Sequence, residues 1–488
     1  MKMGEVMKKL KELYPEADSE VVIKAVKINS KEVEDGDLFV CTMGVTADRH
    51  DFIDDAIAHG AAAIVVSKEV GDQPVPVIRV KDTNQELPYL CQKFYDYPDQ
   101  HLTMIGVTGT DGKTSVATII QTLIGSKDCG YIGTNGRSYA DFVGDNPNTT
   151  PDVHYLYAYL KEFVDHGCTY ASTEASSEAF FRGRLQTIEY DVSVYTNITS
   201  EHLNIHGTFE NYMESKLKLF QQTKKNGFCI LNRDDTYYEE VKKVCNGQIL
   251  TYGKDDDCDL QIVDFEVCPY HTKIHFKYQD HIFEVISPLL GDFNVYNLAG
   301  AMLACLALGF SLDEILLKIP TIKISGRLEL LDTHTPYYVM VDYAHTPNGI
   351  SKLLNFVHTL DINRSIVVIG QAGERDYLKR PKVGNVVVEN ASYAIFTYED
   401  PRSEDPKDVC EDIIRELKEK HHNYEIVLDR REAIQKAVDM AEEKDMVLVL
   451  GKGSETYEKL KNETIHFSDI EEAYQAVRNR EEREKVTN

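Results

Sequence analysis

Short apolar runs alternate with amphipathic stretches along most of this chain. AAAIVVS from Ala61, LTMIGVTG from Leu102, DVSVYTN from Asp191, RSIVVIG from Arg364, SYAIFTY from Ser392 and MVLVLGKG from Met446 are near-continuous apolar segments that end in glycine or polar residues. Such runs predict strands buried on both faces of a parallel sheet, with the stretches between them supplying helices, which is the α/β pattern. One region breaks the rhythm. Over 259–288 the text DLQIVDFEVCPYHTKIHFKYQDHIFEVISP is rich in β-branched and aromatic residues, alternates with polar ones and holds a turn-like YQDH, which predicts an antiparallel extension. At 488 residues the chain exceeds one ordinary hydrophobic core. Boundaries are expected just before the strand at Thr103 and at Gly326, where SGRLELLD leads into a new α/β cycle, giving domains 1–98, 99–326 and 327–488.

Composition narrows the function. Hydrophobic residues are 42% and charged residues 27% of the chain, an ordinary balance for a soluble protein. The opening MKMGEVMKKLKELYPEAD has no apolar core of a signal peptide, and no run approaches about 18 apolar residues, so a cytosolic, unanchored protein is expected. A net charge of -27 argues against a nucleic-acid or anionic membrane surface, because either would need a clustered basic face. An anionic substrate must then be held by locally placed cations and backbone N–H groups. The ten cysteines form no CxxC pair and read as buried thiols in a reducing compartment.

The most informative segment is VTGTDGKTS, Val107 to Ser115, where an apolar strand enters a glycine turn and then a helix. In that context Gly109, Thr110, Asp111 and Gly112 form a phosphate cradle with backbone N–H groups facing oxygens. Lys113 would neutralise the β/γ charge and the Thr114 hydroxyl would ligate Mg²⁺, with Ser115 following at the helix start. The longer common form of this loop wants glycine where Val107 stands, so the match is to the shorter GTxGKT form.

That short form resembles the Mur ligases of peptidoglycan synthesis, and further motifs follow in family order. They are NTTPD at Asn148, TEASSEAF at Thr173, YTNITSEHLNIHG at Tyr195, LGDFNVYNLAGA, SGRLE, VDYAHTP, GERDYLKRP, EDPRSEDP and GKGSETY. Near the amino end INSKEVEDGDLFV and GVTADRHDFI resemble the family's uridine-binding domain. The resemblance implies three α/β domains: a uridine-binding domain, a central P-loop ATPase domain and a carboxyl-terminal doubly wound, Rossmann-like domain. It implies a monomeric, ATP- and Mg²⁺-dependent ligase that activates a peptide carboxylate as an acyl phosphate for attack by an amine. The expected substrates are UDP-N-acetylmuramoyl-L-alanyl-D-glutamate and a diamino acid.

Carried onto this chain, the resemblance makes Thr114 and Glu174 ligands of one Mg²⁺, and His202 with a carbamylated Lys216 ligands of a second. Lys113, Glu174, His202 and Lys216 are the catalytic set. Read alone, Lys216 is an ordinary solvated helix lysine and His202 a core or capping histidine. Asn294, Asn297, Arg327, Asp342 and His345 fall at ATP-contacting positions. Ser30, Thr46 and Ala47 fall at the uridine end, and Thr149, Thr150, Ser176, Arg182 and Arg184 at the muramoyl-peptide end. Arg375, Asp400, Pro401, Arg402, Gly451 and Glu455 would receive the incoming amino acid.

Several positions depart from the family pattern: Asp111 for Asn, Glu178 for His, Arg182 for Gln, Ser200-Glu201 for Arg-Asp, and Glu399-Asp400-Pro401-Arg402 where members that add meso-diaminopimelate typically read DNPR. Arg402 favours meso-diaminopimelate, whose distal carboxylate a guanidinium can grip and which L-lysine lacks. Asp400 pulls the other way, either by welcoming an ammonium group or by pairing with Arg402. Two other classes compete: a folylpolyglutamate-synthetase-like ligase, against which the amino-terminal motifs count, and a non-catalytic nucleotide-binding homologue, which would have lost the catalytic side chains.

Overall fold

The computed structural model describes residues 6–17, 19–44, 47–146, 148–199, 203–268, 270–417 and 422–487. The chain divides into two compact units, Met1–Asp264 with Phe276–Phe283 and Tyr296–Lys318, and Phe265–His275 with Glu284–Val295 and Ile319–Asn488.

In the first unit, Val26–Lys27, Leu38–Val40, Ala63–Val66 and Val77–Arg79 form a four-stranded parallel sheet. A larger sheet is built around Thr103–Thr108, flanked in parallel by Tyr170–Glu174 and Tyr190–Tyr195, with Cys129–Gly133 beyond one and Thr223–Asn232 and Gln248–Gly253 beyond the other. These central strands are buried along nearly their whole length, which is why they read as unbroken apolar runs. The helix Lys113–Ile124 follows the central strand, and most of its side chains are buried.

The expected antiparallel extension needs one correction. Leu260–Val267 joins Gln248–Gly253 in parallel, and reversal begins only afterwards. The turn Gln279–Asp280 between Thr272–Tyr278 and His281–Ser287 holds both residues in the left-handed region, at φ 47° and 65°. That is the geometry of a two-residue hairpin turn whose twist suits antiparallel strands.

The helix Phe209–Gln221 is N-capped by Thr208, whose hydroxyl accepts the Asn211 amide, a contact worth about 1 kcal/mol. Five of its six buried residues, Tyr212, Ser215, Lys216, Leu219 and Phe220, recur at three- and four-residue spacing on one face, with Leu217 at its edge. Lys216 therefore lies on the inward stripe, not in solvent.

The second unit is a six-stranded sheet in the order Glu329–Leu330, Tyr338–Asp342, Met446–Leu450, Ser365–Ile369, Tyr393–Phe396, Tyr424–Ile426. All pairs but the first are parallel. Successive residues feed opposite cores. Val367, Ile369, Leu448 and Leu450 pack with helices Pro347–Val357 and Arg380–Asn390, and Ile366, Val368, Val447 and Val449 with helices Arg430–Met440 and Asp469–Thr487. The unit is thus doubly wound, and its loops at the carboxyl ends of the strands are where such sheets bind ligands. Seven of the ten free cysteines are buried; Cys245, Cys258 and Cys268 are partly exposed.

Candidate active site

The central strand delivers its chain into a turn that only glycine can make at Gly112, where φ is 85° and an added Cβ would strike the buried Asn297 side chain. The Asp111 amide donates to Asn197 Oδ1 at 2.9 Å and its carbonyl accepts from Thr196 Oγ1 at 2.6 Å, so the loop after the neighbouring strand fixes this turn. Lys113 folds back to donate to the Gly109 and Thr110 carbonyls, both at 2.9 Å. Ser115 is buried two residues further along the helix.

Thr114 Oγ1 donates to Glu174 Oε2 at 3.0 Å. Glu174 ends its strand only 1% exposed and is surrounded by donors: Tyr131 Oη at 2.7 Å, the Thr134 amide at 2.8 Å and Thr134 Oγ1 at 3.2 Å. All four are neutral donors. Tyr131 and Thr134 were not foreseen from sequence; the signal was the glycine turn of YIGTNG directly after an apolar strand.

The same corner holds the peptide-end candidates. Thr134 Oγ1 and Thr149 Oγ1 are 3.0 Å apart. Thr150 donates to the Glu174 carbonyl at 2.7 Å and meets Ser176 Oγ at 3.0 Å. Ser176 caps the short helix Ser177–Phe181, and Arg184 reaches back to the Thr150 carbonyl at 3.0 Å and to Asp152 at 2.7 Å. Arg182 pairs with Glu178 at 2.7 Å, so the two departures on this helix answer one another across one turn.

Lys216, 2% exposed, donates to the Gly109 carbonyl at 2.6 Å and lies 4.5 Å from the centroid of the Tyr212 ring. Tyr212 Oη meets Thr110 Oγ1 at 2.9 Å, tying this helix to the phosphate loop. His206, a third residue that sequence reasoning did not single out, is buried with Nε2 3.1 Å from Ser177 Oγ. His202 lies outside the described residues, as do Thr46 and the Ser200-Glu201 departure. Ser30 is buried in the turn Ser30–Glu32, and Ala47 is exposed, its carbonyl accepting the Gly44 amide at 2.9 Å.

In the second unit, Asp342 ends its strand by accepting the Leu328 and Ala344 amides, both at 2.7 Å. Burial raises its carboxyl above the ordinary range, against the pull of Arg327. Arg327 lies 4.6 Å from the Tyr343 ring centroid. His345 Nδ1 is 2.9 Å from the Tyr343 carbonyl, and burial lowers the imidazole's affinity for a second proton. Asn294 is buried and donates to the Leu290 carbonyl at 2.8 Å.

The amino-acid candidates gather at the carboxyl ends of three parallel strands. Arg375 and Arg402 line one cavity of about 630 Å³. Asp400 pairs with neither arginine. Its Oδ1 accepts the Lys452 ammonium at 2.8 Å and the Lys459 amide at 3.2 Å, so of the two roles open to Asp400 the structure shows a third, a bond to a buried lysine. Pro401 is buried, and its carbonyl blocks the space a side chain at position 373 would need. Glu455 also reaches Lys452, at 3.4 Å. Glu399 packs against Gly451, where φ is 117° and a Cβ would collide with its carboxyl. Burial pushes the Glu399 carboxyl up to about 7, against the pull of Arg430 and Lys452.

A P-loop sheet with this motif order and a doubly wound second unit define a class, and comparison with family models agrees. The model described as Mur ligase family, catalytic domain matches residues 22–105, the Mur ligase middle domain matches 107–305, and the Mur ligase, glutamate ligase domain matches 326–453. The chain belongs to the Mur ligase family. Among its relatives, the UDP-N-acetylmuramoyl-L-alanyl-D-glutamate--2,6-diaminopimelate ligase of Geobacillus kaustophilus is 37% identical over 476 residues, 94% of this chain and 95% of its own. The ligase of the same name from Clostridium perfringens is 35% identical, covering 95% and 98%. A solved structure of a ligase of that name superposes with a TM-score of 0.68 at 29% identity over 97% of this chain and 99% of its own. The folylpolyglutamate synthase of Mycobacterium tuberculosis shares the fold over 75% of this chain, with a TM-score of 0.61 at 15% identity.

Proposed function

We propose that this protein is an ATP-dependent ligase that joins meso-diaminopimelate, through an amine, to the D-glutamate γ-carboxyl of UDP-N-acetylmuramoyl-L-alanyl-D-glutamate. The geometry that carries the reading is the Thr114–Glu174 contact at the end of the phosphate loop. A threonine hydroxyl and a buried carboxylate held by neutral donors form an oxygen-rich, anionic donor set that fits Mg²⁺. Thr114 and Glu174 would hold that ion, which supplies charge neutralisation for phosphoryl transfer when bound.

The chain's own groups then have distinct tasks. Gly109 to Gly112 present backbone N–H groups to the ATP phosphates, and Lys113 exchanges its two carbonyl partners for phosphate oxygens. Arg184, already aimed at the Thr150 backbone, anchors the peptide beside Thr149 and Ser176. The γ-phosphoryl group passes to the glutamate carboxylate, making an acyl phosphate; the amine attacks its carbonyl carbon, phosphate leaves with the C–O bond electrons, and the nitrogen's extra proton passes to the departing phosphate or to solvent. In this reading the neutral Lys216 amine adds carbon dioxide and sheds a proton to solvent, and the resulting carbamate would join His202 as a donor for a second ion, its one remaining N–H being able to keep the Gly109 carbonyl. The division 1–98, 99–326 and 327–488 belongs to the same proposal, as do a monomeric state and a place in the cytoplasm. No helix of the described residues is long and apolar enough to cross a membrane.

The test is phosphate release from ATP with Mg²⁺ and the UDP-dipeptide, offering meso-diaminopimelate and L-lysine in parallel. Turnover with meso-diaminopimelate alone is expected; turnover with neither would sink the reading.

A further inference from the structure

The cavity beside Arg402 has a wall that none of the motif segments contains. It is lined by Glu374, Arg375, Arg402 and Ser403 from two strand-end loops, and otherwise by residues 459–464, the tip of a hairpin made by Tyr457–Lys459 and Thr464–His466. Two bonds pin the hairpin in place and a third closes its tip. The Arg402 amide donates to the Lys459 carbonyl at 3.0 Å, the Lys459 amide donates to Asp400 Oδ1 at 3.2 Å, and the Leu460 amide closes the tip on the Glu463 carbonyl at 2.9 Å. Asp400 is itself held by the fully buried Lys452. The hairpin is thereby fixed to the segment that carries Arg402.

Charge shows what the cavity is built to receive. Four cationic side chains line it, Arg375, Arg402, Lys459 and Lys461, and among the described residues none of them is in an ion pair. The Lys459 ammonium lies 4.9 Å from the centroid of the Tyr457 ring and feels the Glu455 carboxylate through space without forming an ion pair with it. Of the two carboxylates on the wall, Glu374 is already engaged by the Ser403 amide and hydroxyl. Four cations against two carboxylates, Glu374 and Glu463, leave the wall net positive, and a further carboxylate entering among the cations is stabilised by all of them. Glu374, Asp400 and Arg402 take φ values of 56°, 41° and 53°, so the backbone around this cavity is held in a conformation that side-chain-bearing residues seldom adopt.

We propose that the hairpin is part of the amino-acid site, and that Lys459 and Lys461 bind the carboxylate of the incoming amino acid farthest from its reacting amine, together with Arg375 and Arg402. This rests on the reading that the amino acid is meso-diaminopimelate. Asp400 acts through the hairpin, as a positioning residue, and does not meet the substrate's ammonium.

The experiment is steady-state kinetics of the full-length protein, first as wild type with meso-diaminopimelate or L-lysine, then as Lys461→Gln and as Lys459→Gln/Lys461→Gln. With wild-type turnover on meso-diaminopimelate, Lys461→Gln should raise its KM about tenfold and the double variant further, leaving kcat and the KM values for ATP and the UDP-dipeptide unchanged. The wild-type KM should also rise with ionic strength more steeply than that of the double variant. A double variant whose meso-diaminopimelate KM stays within about twofold of wild type would overturn the hairpin's role while leaving the proposed reaction intact. Wild-type turnover with L-lysine instead would overturn the amino-acid reading and the hairpin proposal together. Thermal melts coincident with wild type would show that the KM change is not a loss of fold; Lys459→Arg/Lys461→Arg should restore the KM.

Discussion

The phosphate loop and the carboxyl-terminal cavity hold charge in opposite ways. Around the loop, charged groups are already engaged: Lys113 by two carbonyls, Lys216 by a third and by an aromatic face, Glu174 by a hydroxyl, a phenol, an amide and a second hydroxyl. In the cavity, four cations stand without ion pairs among the described residues. Groups that must be oriented to within a fraction of an ångström benefit from partners that hold them before the ligand arrives. Groups that select a ligand by charge work best uncompensated, because a partner would have to be displaced first.

Substitutions can break this contrast, and the largest effect is expected at the loop. Lys113→Ala should lower turnover about 10³-fold or more, since the lost charge faces the phosphoryl group in transit. Its melting curve should match wild type, because the side chain's partners are carbonyls that the loop's solvent can serve; an active, folded Lys113→Ala would remove the phosphate-cradle assignment. Glu174→Gln should cost roughly 10²-fold in turnover and a few degrees of melting temperature, as the new amide turns N–H groups toward donors that need an acceptor. If it titrates with Mg²⁺ as the wild type does, Glu174 is not a metal ligand.

Arg402→Ala should be milder and confined to one substrate, raising the KM for meso-diaminopimelate on the order of tenfold, or about 1.4 kcal/mol, with ATP binding unchanged. Loss of ATP binding instead would mean that the contrast between the two regions is misdrawn.

The one effect expected on stability alone, with none on turnover at fixed pH, concerns Glu399. Its carboxyl is held near 7 by burial, so the native protein keeps a proton there that the unfolded chain has released at lower pH. The raised value makes this site's contribution to stability fall as pH climbs from the ordinary carboxylate range through about 7. Glu399→Gln should therefore flatten the decline in stability between pH 5 and pH 8, by on the order of 3 kcal/mol at most. Parallel melting-temperature profiles for wild type and variant would show that Glu399 is ionised throughout.

Much of this protein was determined by local sequence alone. Strands buried on both faces must be continuously apolar, so the core strands of both sheets were legible, as was the glycine-bearing turn before Lys113, since few residues can adopt its conformation. The ordered motifs likewise brought Thr114 to Glu174 and Thr150 to Ser176 and Arg184 in expectation before the sheet did so in space.

Tertiary structure decided what depends on partners distant in the chain. Lys216 reads as a surface lysine until the helix is seen to turn its Tyr212–Lys216–Leu219 face inward onto the loop at Gly109. Tyr131 and Thr134 carry no motif and matter only because two parallel strands set them beside Glu174. Whether Asp400 meets an ammonium, Arg402 or something else could not follow from its neighbours in sequence, because its partner Lys452 is more than fifty residues away on another strand end. Charges act through space, and a sequence orders residues only along the chain; the parallel sheet, which brings distant strand ends to one edge, is what turns that order into a site.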